Sequence, residues 1–160
     1  MNNQIISGLT SYLIFQLGSE KFAVNIGHVR KILEMPHITK VPHAPALYLG
    51  VINLFGDVLP VIDGRIKFGM KQKEADNNTC IIILMVQVDQ EFFNIGFVVD
   101  QALQVIDIKD EDLNSAPEVG KKFQLDFISA VAKVQDEFIL VLNTAKLFDE
   151  EDYTALNTDL

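Results

Sequence analysis

Apolar and polar positions alternate with a period of two along most of the chain, which predicts short β-strands rather than helices. Residues 11–17 put Leu13, Phe15 and Leu17 on one face. Gly18-Ser19-Glu20-Lys21 reads as a turn and Phe22-Ala23-Val24 as the return strand of a hairpin. Asn25 is placed to cap a helical turn with Ile26, Val29 and Leu33 on its apolar side. Pro36, Pro42 and Pro45 then keep regular structure short. Residues 50–54 and 58–62 are apolar runs joined across 55–57, a second hairpin, and the polar stretch 70–78 reads as a linker.

The second half repeats this order. Residues 80–88 form a continuous apolar strand, 89–90 a turn and 92–99 the return strand. A helical turn is expected at 100–103, a short strand at 104–108 and a loop at 109–120. Residues 128–134 and 138–142 form a last hairpin, and Asn143 is placed to cap a C-terminal helix beginning at Thr144.

The repeat extends to single residues. At an offset of 80, Val51 falls on Val131, Leu54 on Val134, Asp57 on Glu137, Val58 on Phe138, Ile62 on Leu142 and Phe68 on Phe148. A weaker match near an offset of 70 sets Phe22, Asn25, Ile26 and Gly27 on Phe92, Asn94, Ile95 and Gly96. Two similar modules of about 70–80 residues follow. Modules of four or five short strands close most simply as barrels, which removes exposed sheet edges. The expected fold is all-β with short helices: two similar five-stranded SH3-like barrels plus a C-terminal helix. Their approximate limits are 10–70 and 79–150, with strands free to exchange between them, followed by an acidic tail at 149–160.

Charge removes several functions. The net charge is −9, divided as +2 over residues 1–80 and −11 over residues 81–160. That argues against nucleic acid or an anionic membrane surface, both of which need clustered Lys and Arg. With 49% hydrophobic and 22% charged residues the chain is globular rather than disordered. Its longest purely apolar run, Cys80 to Val86, is too short to span a bilayer. The opening residues lack the basic and apolar parts of a secretory signal, and a single cysteine makes no internal disulfide. A cytoplasmic domain is expected.

No catalytic pattern stands out. There is no Gly-rich phosphate loop, no Gly-x-Ser-x-Gly and no His-Glu-x-x-His. Cys80 heads an apolar strand without a basic neighbour and reads as an inert thiol. His28, His37 and His43 fit no zinc spacing, the acidic run at 107–112 lacks the ligand pattern of a calcium loop, and the run at 149–152 reads as a solvated helix face. No cofactor and no metal are expected. Two β modules with a groove between them favour an interaction protein over an enzyme.

The segment 50–63, Gly-Val-Ile-Asn-Leu-Phe-Gly-Asp-Val-Leu-Pro-Val-Ile-Asp, resembles the signature hairpin of the CheW family, the coupling proteins of bacterial chemotaxis. Phe15-x-Leu17-Gly18 with Phe22, Val41-Pro42, Ala44-Pro45, Val98-Val99-Asp100, Ala116-Pro117 and Lys146-Leu147-Phe148 fit the same pattern over residues 10–150. The resemblance implies a single CheW-like domain with no catalytic residues. It implies a scaffold that joins the cytoplasmic tips of chemoreceptors to the regulatory domain of the histidine kinase CheA. Kinase and scaffold would pair barrel to barrel, and the receptor's helical hairpin would lie in the groove. The expected location is the cytoplasm, with recruitment to receptor arrays at the inner membrane and no insertion into it. Candidate partner-binding residues are Val29, Lys31, Asn53, Phe55, Gly56, Asp63, Arg65 and Val99. The chain begins with Met and ends shortly past the last motif, so a standalone adaptor without kinase core or receiver domain is expected.

Three positions depart from the family pattern. Phe55 stands where the family carries Arg, Lys31 where it carries Glu, and Gly64 where it commonly carries Leu. The family's Arg and Glu are near enough to pair, and losing both is cheaper than stranding one charge. An aromatic beside a lysine stem replaces them, a combination suited to stacking or a cation–π contact. Such a change favours altered partner choice, and an adaptor of a surface-motility or biofilm kinase array is the alternative reading.

Overall fold

The computed structural model describes residues 8–115 and 127–147. Eleven strands fill these residues: β1 (Leu9–Leu17), β2 (Glu20–Asn25), β3 (Val29–Glu34), β4 (Tyr48–Leu54), β5 (Asp57–Asp63), β6 (Cys80–Val88), β7 (Glu91–Val99), β8 (Gln101–Lys109), β9 (Leu113–Ser115), β10 (Ile128–Val134) and β11 (Glu137–Leu142). Two short helices, α1 (Gly64–Lys67) and α2 (Thr144–Leu147), follow β5 and β11. The acidic tail, Ala116-Pro117 and Phe148 lie outside the described residues.

The strands form two sheets, β8-β1-β2-β11-β10-β9 and β3-β6-β7-β5-β4. The chain therefore exchanges strands. β3 leaves the β1–β2 hairpin to pair with β6, and β8 leaves the β6–β7 hairpin to pair with β1. The first sheet carries a sixth strand, the three-residue β9, beyond the five expected.

Three cores explain which residues are apolar. Ile52, Leu59, Val61, Ile81 and Ile83 fill the β3–β7 sheet. Tyr12, Ile14, Ala23, Ile139 and Val141 fill the other. A larger core lies between the sheets, with Leu13, Phe15, Leu17, Ile82, Leu84, Phe97 and Leu142. β6 supplies the intra-sheet core with one face and the inter-sheet core with the other. That is why residues 80–86 read as unbroken apolar sequence. Stacked rings of Phe22, Phe68 and Phe127, with centroids 4.7 and 4.8 Å apart, extend the inter-sheet core.

The offset of 80 holds in three dimensions. Val51 pairs with Pro60 as Val131 pairs with Leu140, and both hairpins shift register at the same point. The offset near 70 does not hold. Val61 faces Gly96 and Val141 faces Ala23, so the counterpart of Gly96 is Ala23 rather than Gly27.

Two local expectations are corrected. Asn25 does cap a turn, its side chain accepting the Gly27 N–H, but the turn is a single 3-10 turn at Ile26–His28 and Val29–Glu34 is strand. Residues 100–103 form no helix, because β8 begins at Gln101. In both places pairing with a buried neighbouring strand outweighs local preference.

Arg65 and Asp100 tie the halves together. Arg65 Nε donates to Asp100 Oδ1 at 2.8 Å and Nη2 to Oδ2 at 2.7 Å. The same Oδ2 accepts the Gly18 N–H of the β1–β2 turn at 2.7 Å. The Arg65 hydrogen bond, outweighing burial, holds the Asp100 carboxyl below its ordinary range. A folded-state pKa below the unfolded one stabilises above the unfolded value of about 3.9, and this contribution fades as pH falls through the folded value. Asp100→Asn is expected to lower stability by about 1 kcal/mol at neutral pH. It also flattens the loss of stability in acid, as read from urea midpoints between neutral pH and the carboxylate range.

Candidate functional site: the exposed end of the β3–β7 sheet

The β4–β5 hairpin turns through Phe55 and Gly56, at φ +52° and +88°. Positive φ at both central residues of a two-residue loop marks a type I′ turn, whose twist suits the strands. Gly56 meets this freely. Phe55 does not, because a bulky side chain at positive φ is strained. Asn53 Oδ1 steadies the turn by accepting the Gly56 N–H at 3.0 Å.

Despite that strain Phe55 is 84% exposed, and Val58 beside it is 66% exposed. Lys31 of β3 reaches across, its Nζ 4.5 Å from the centroid of the Phe55 ring. This is the cation–π geometry expected of the substituted pair. Because β5 and β7 run parallel, the β6–β7 turn lies at the same end and adds exposed Phe92. Asparagine accepts the left-handed region far better than phenylalanine. Phe55→Asn is therefore expected to raise stability by about 0.5–1 kcal/mol, seen as a higher melting temperature.

The other candidates separate by depth. Val29 opposes Leu84 and packs partly against the inter-sheet core. Asp63 is 5% exposed, and its Oδ1 accepts the Arg65 N–H to cap α1. Val99 is buried in the inter-sheet core. Val99 and Asp63 therefore position the surface rather than form it, and Arg65 is engaged by Asp100. The structure brings Lys31, Asn53, Phe55 and Gly56 together at one end. Exposed apolar residues outside the candidates named from the sequence include Ile32, Val58, Phe92, Val105 and Phe138. The offset of 80 already set Phe138 on Val58, and that was the available signal. Among the described residues no group of three His, Cys, Asp or Glu side chains is placed to hold a metal.

A family model described as the CheW-like domain matches residues 11–152. The chain belongs to the CheW family. It is 31% identical over 151 residues to the chemotaxis protein CheW of Rhizobium meliloti, covering 94% of this chain and 95% of that one. It is 33% identical to a probable chemotaxis protein CheW of Rhizobium etli, covering 89% and 90% of the two chains. The crystal structure of the scaffolding protein TtCheW from Thermoanaerobacter tengcongensis superposes with a TM-score of 0.76 at 26% identity, covering 89% of this chain and 94% of that one. As a CheW-like protein the chain is a scaffold and not an enzyme.

Membership sharpens the departures from the CheW pattern. A Cβ at Gly64 would lie 2.4 Å from the Val98 carbonyl oxygen and 3.1 Å from the Phe97 ring. The close approach of α1 to β7 thus demands glycine at this position. Phe55 and Lys31 meet as a cation–π pair.

Proposed function

We propose that this CheW-like protein couples chemoreceptors to a CheA-type histidine kinase. The exposed end of its β3–β7 sheet would grip the kinase regulatory domain, and the groove between sheets would hold the receptor's helical hairpin. The observation that carries this reading is Phe55, a strained and solvent-exposed aromatic at a barrel end. A large aromatic held out at the cost of backbone strain suits an interface anchor. Val58 and Phe92 widen the apolar surface around it, and the Lys31 ammonium orients the ring. Asn53 and Gly56 fix the hairpin tip. Val29 and Ile32 lie on the face that continues into the inter-sheet core and suit an apolar helix in the groove. Asp63, Arg65 and Val99 hold these surfaces in place. Nothing in the sequence favours nucleic acid, and no helix among the described residues is long and apolar enough to cross a membrane. Recruitment to arrays at the inner membrane would follow from receptor binding alone.

A second reading rests on the same pair. Phe55 with Lys31, in place of Arg with Glu, favours a different set of partners, such as a surface-motility or biofilm kinase array. Co-sedimentation of the protein with kinase and receptor fragments from its own organism, separately and together, tests both. The coupling reading expects binding to each fragment and a ternary complex with both. Binding to neither chemotaxis fragment, but to the kinase of another array, establishes the second reading.

A further inference from the structure

β5 ends in a carboxylate, Asp63, at the opposite end of the sheet from Phe55. Asp63 is 5% exposed, and its Oδ1 accepts the Arg65 N–H at 2.9 Å. Its Oδ2 has no hydrogen-bond partner among the described residues. Nor is that oxygen sealed off, because no fully buried side-chain oxygen among these residues lacks a partner. It opens onto a cavity of about 220 Å³ that Asp63 helps to line. Capping α1 does not explain a charge at this position. At the offset of 80 Asp63 falls on Asn143, whose Oδ1 accepts the Ala145 N–H at 3.1 Å. The second module thus caps its short helix with a neutral amide. Arg65 does not take up the charge either. Its Nε and Nη2 go to Asp100, and its Nη1 goes to the Lys71 carbonyl. One guanidinium therefore serves two carboxylates, and the surplus negative charge lies on Asp63. A carboxylate so deeply buried is costly unless a cation or a strong donor meets it.

We infer that this cavity binds a small aliphatic primary ammonium compound, its N–H groups donating to Asp63 Oδ2. The walls select the rest of the molecule. Met35, Ile38, Leu49 and Val98 line the cavity, all partly buried against the core of the same sheet. An inorganic cation would leave these four side chains without apolar contact, and no metal-ligating cluster lies among the described residues. A hydrocarbon body covers them, and each buried methylene adds to binding. The volume is below the roughly 300–1,000 Å³ of drug-sized sites, so a short branched chain fits better than a ring system. Mouths of β-barrels are a common place for such sites. Two sources share this chemistry, a monoamine and an aliphatic α-amino acid. Lys40 lines the same cavity, is exposed and has no ion-pair partner among the described residues, so it offers a charge for the carboxylate of an amino acid.

An NMR titration of the isotope-labelled full chain at neutral pH tests the inference with three probes of similar shape: isoamylamine, leucine and isocaproate. At least one of the two ammonium probes should give saturable shifts centred on Leu49, Thr79 and Val98. Isocaproate, which has the hydrocarbon and a carboxylate but no ammonium, should give none there. Tighter binding of leucine assigns an amino acid as the occupant, and tighter binding of isoamylamine assigns a monoamine. Asp63→Asn keeps an oxygen for the Arg65 N–H, as Asn143 does in the second module, and removes only the charge. It is expected to lose roughly tenfold or more in affinity for whichever ammonium probe binds. The probe series on the wild-type protein stands without that variant, should it fail to fold. The inference is overturned if neither ammonium probe gives a saturable shift up to about 10 mM. Isocaproate binding as well as the ammonium probes, or undiminished binding by folded Asp63→Asn, overturns it too, because the carboxylate would then recognise nothing.

Discussion

Gly50→Ala is expected to destabilise the protein by about 3–5 kcal/mol, the largest effect of any single methyl in this fold. Gly50 sits at φ +144°, a conformation that side chains rarely adopt. A Cβ there would lie 2.1 Å from the Thr39 carbonyl oxygen and 2.8 Å from its carbon. The backbone penalty is of order 1–3 kcal/mol, and overpacking against an immovable main chain adds about 1–3 more. The damage is also local to the function. Val51, the next residue, exchanges two backbone hydrogen bonds with Thr39, at 2.8 and 2.9 Å. This bridge ties the segment after β3 to β4, and so keeps Lys31 and the Phe55 hairpin in one geometry. Ala130, the counterpart at the offset of 80, carries its Cβ at negative φ, so the restriction belongs to the first module alone. Urea denaturation monitored by circular dichroism gives the value directly. A change below about 1 kcal/mol would show that the bridge can open without cost.

The second large effect is on affinity. Phe55→Asn is expected to weaken binding of the kinase regulatory domain more than tenfold, about 1.4 kcal/mol or more. Stability and affinity move in opposite directions. Asparagine relaxes the turn, so the folded protein gains stability, while the only bulky group projecting from the hairpin tip disappears. A variant that melts higher and binds worse separates an anchor from a structural residue. Lys31→Glu with Phe55→Arg probes the same site by exchange. The 4.5 Å approach of the present pair leaves room for a salt bridge, so the double variant should fold. It should also regain partners that recognise the usual CheW pair, measured by the same titrations. An insoluble product would show these positions to be structurally locked.

Most strands were legible because alternation marks the half-buried strands and the unbroken apolar run 80–86 marks β6, which is buried on both faces. The burial pattern even repeats residue for residue between 51–60 and 131–140, as the offset of 80 anticipated. Strand exchange was not legible, because both hairpins read alike whichever sheet β3 or β8 joins. The helix expected at 25–33 failed for a definite reason. Val29 and Leu33 have helical spacing, but β3 sends Val29 to the inter-sheet core and Leu33 to the core of its own sheet. The Arg65–Asp100 brace joins residues separated by 35 positions, and nothing in the sequence pairs them. Phe55 and Lys31 were found through the family resemblance. Their contact, and the strain beneath it, required the fold.

Titration calorimetry of the kinase regulatory domain into the wild-type protein and into Phe55→Asn, with melts of both, tests the central claim most directly. The expected result is a loss of more than tenfold in affinity with a melting temperature equal to or above wild type. Unchanged affinity in the stabilised variant would contradict the claim and make Phe55 a strained turn residue with no part in coupling.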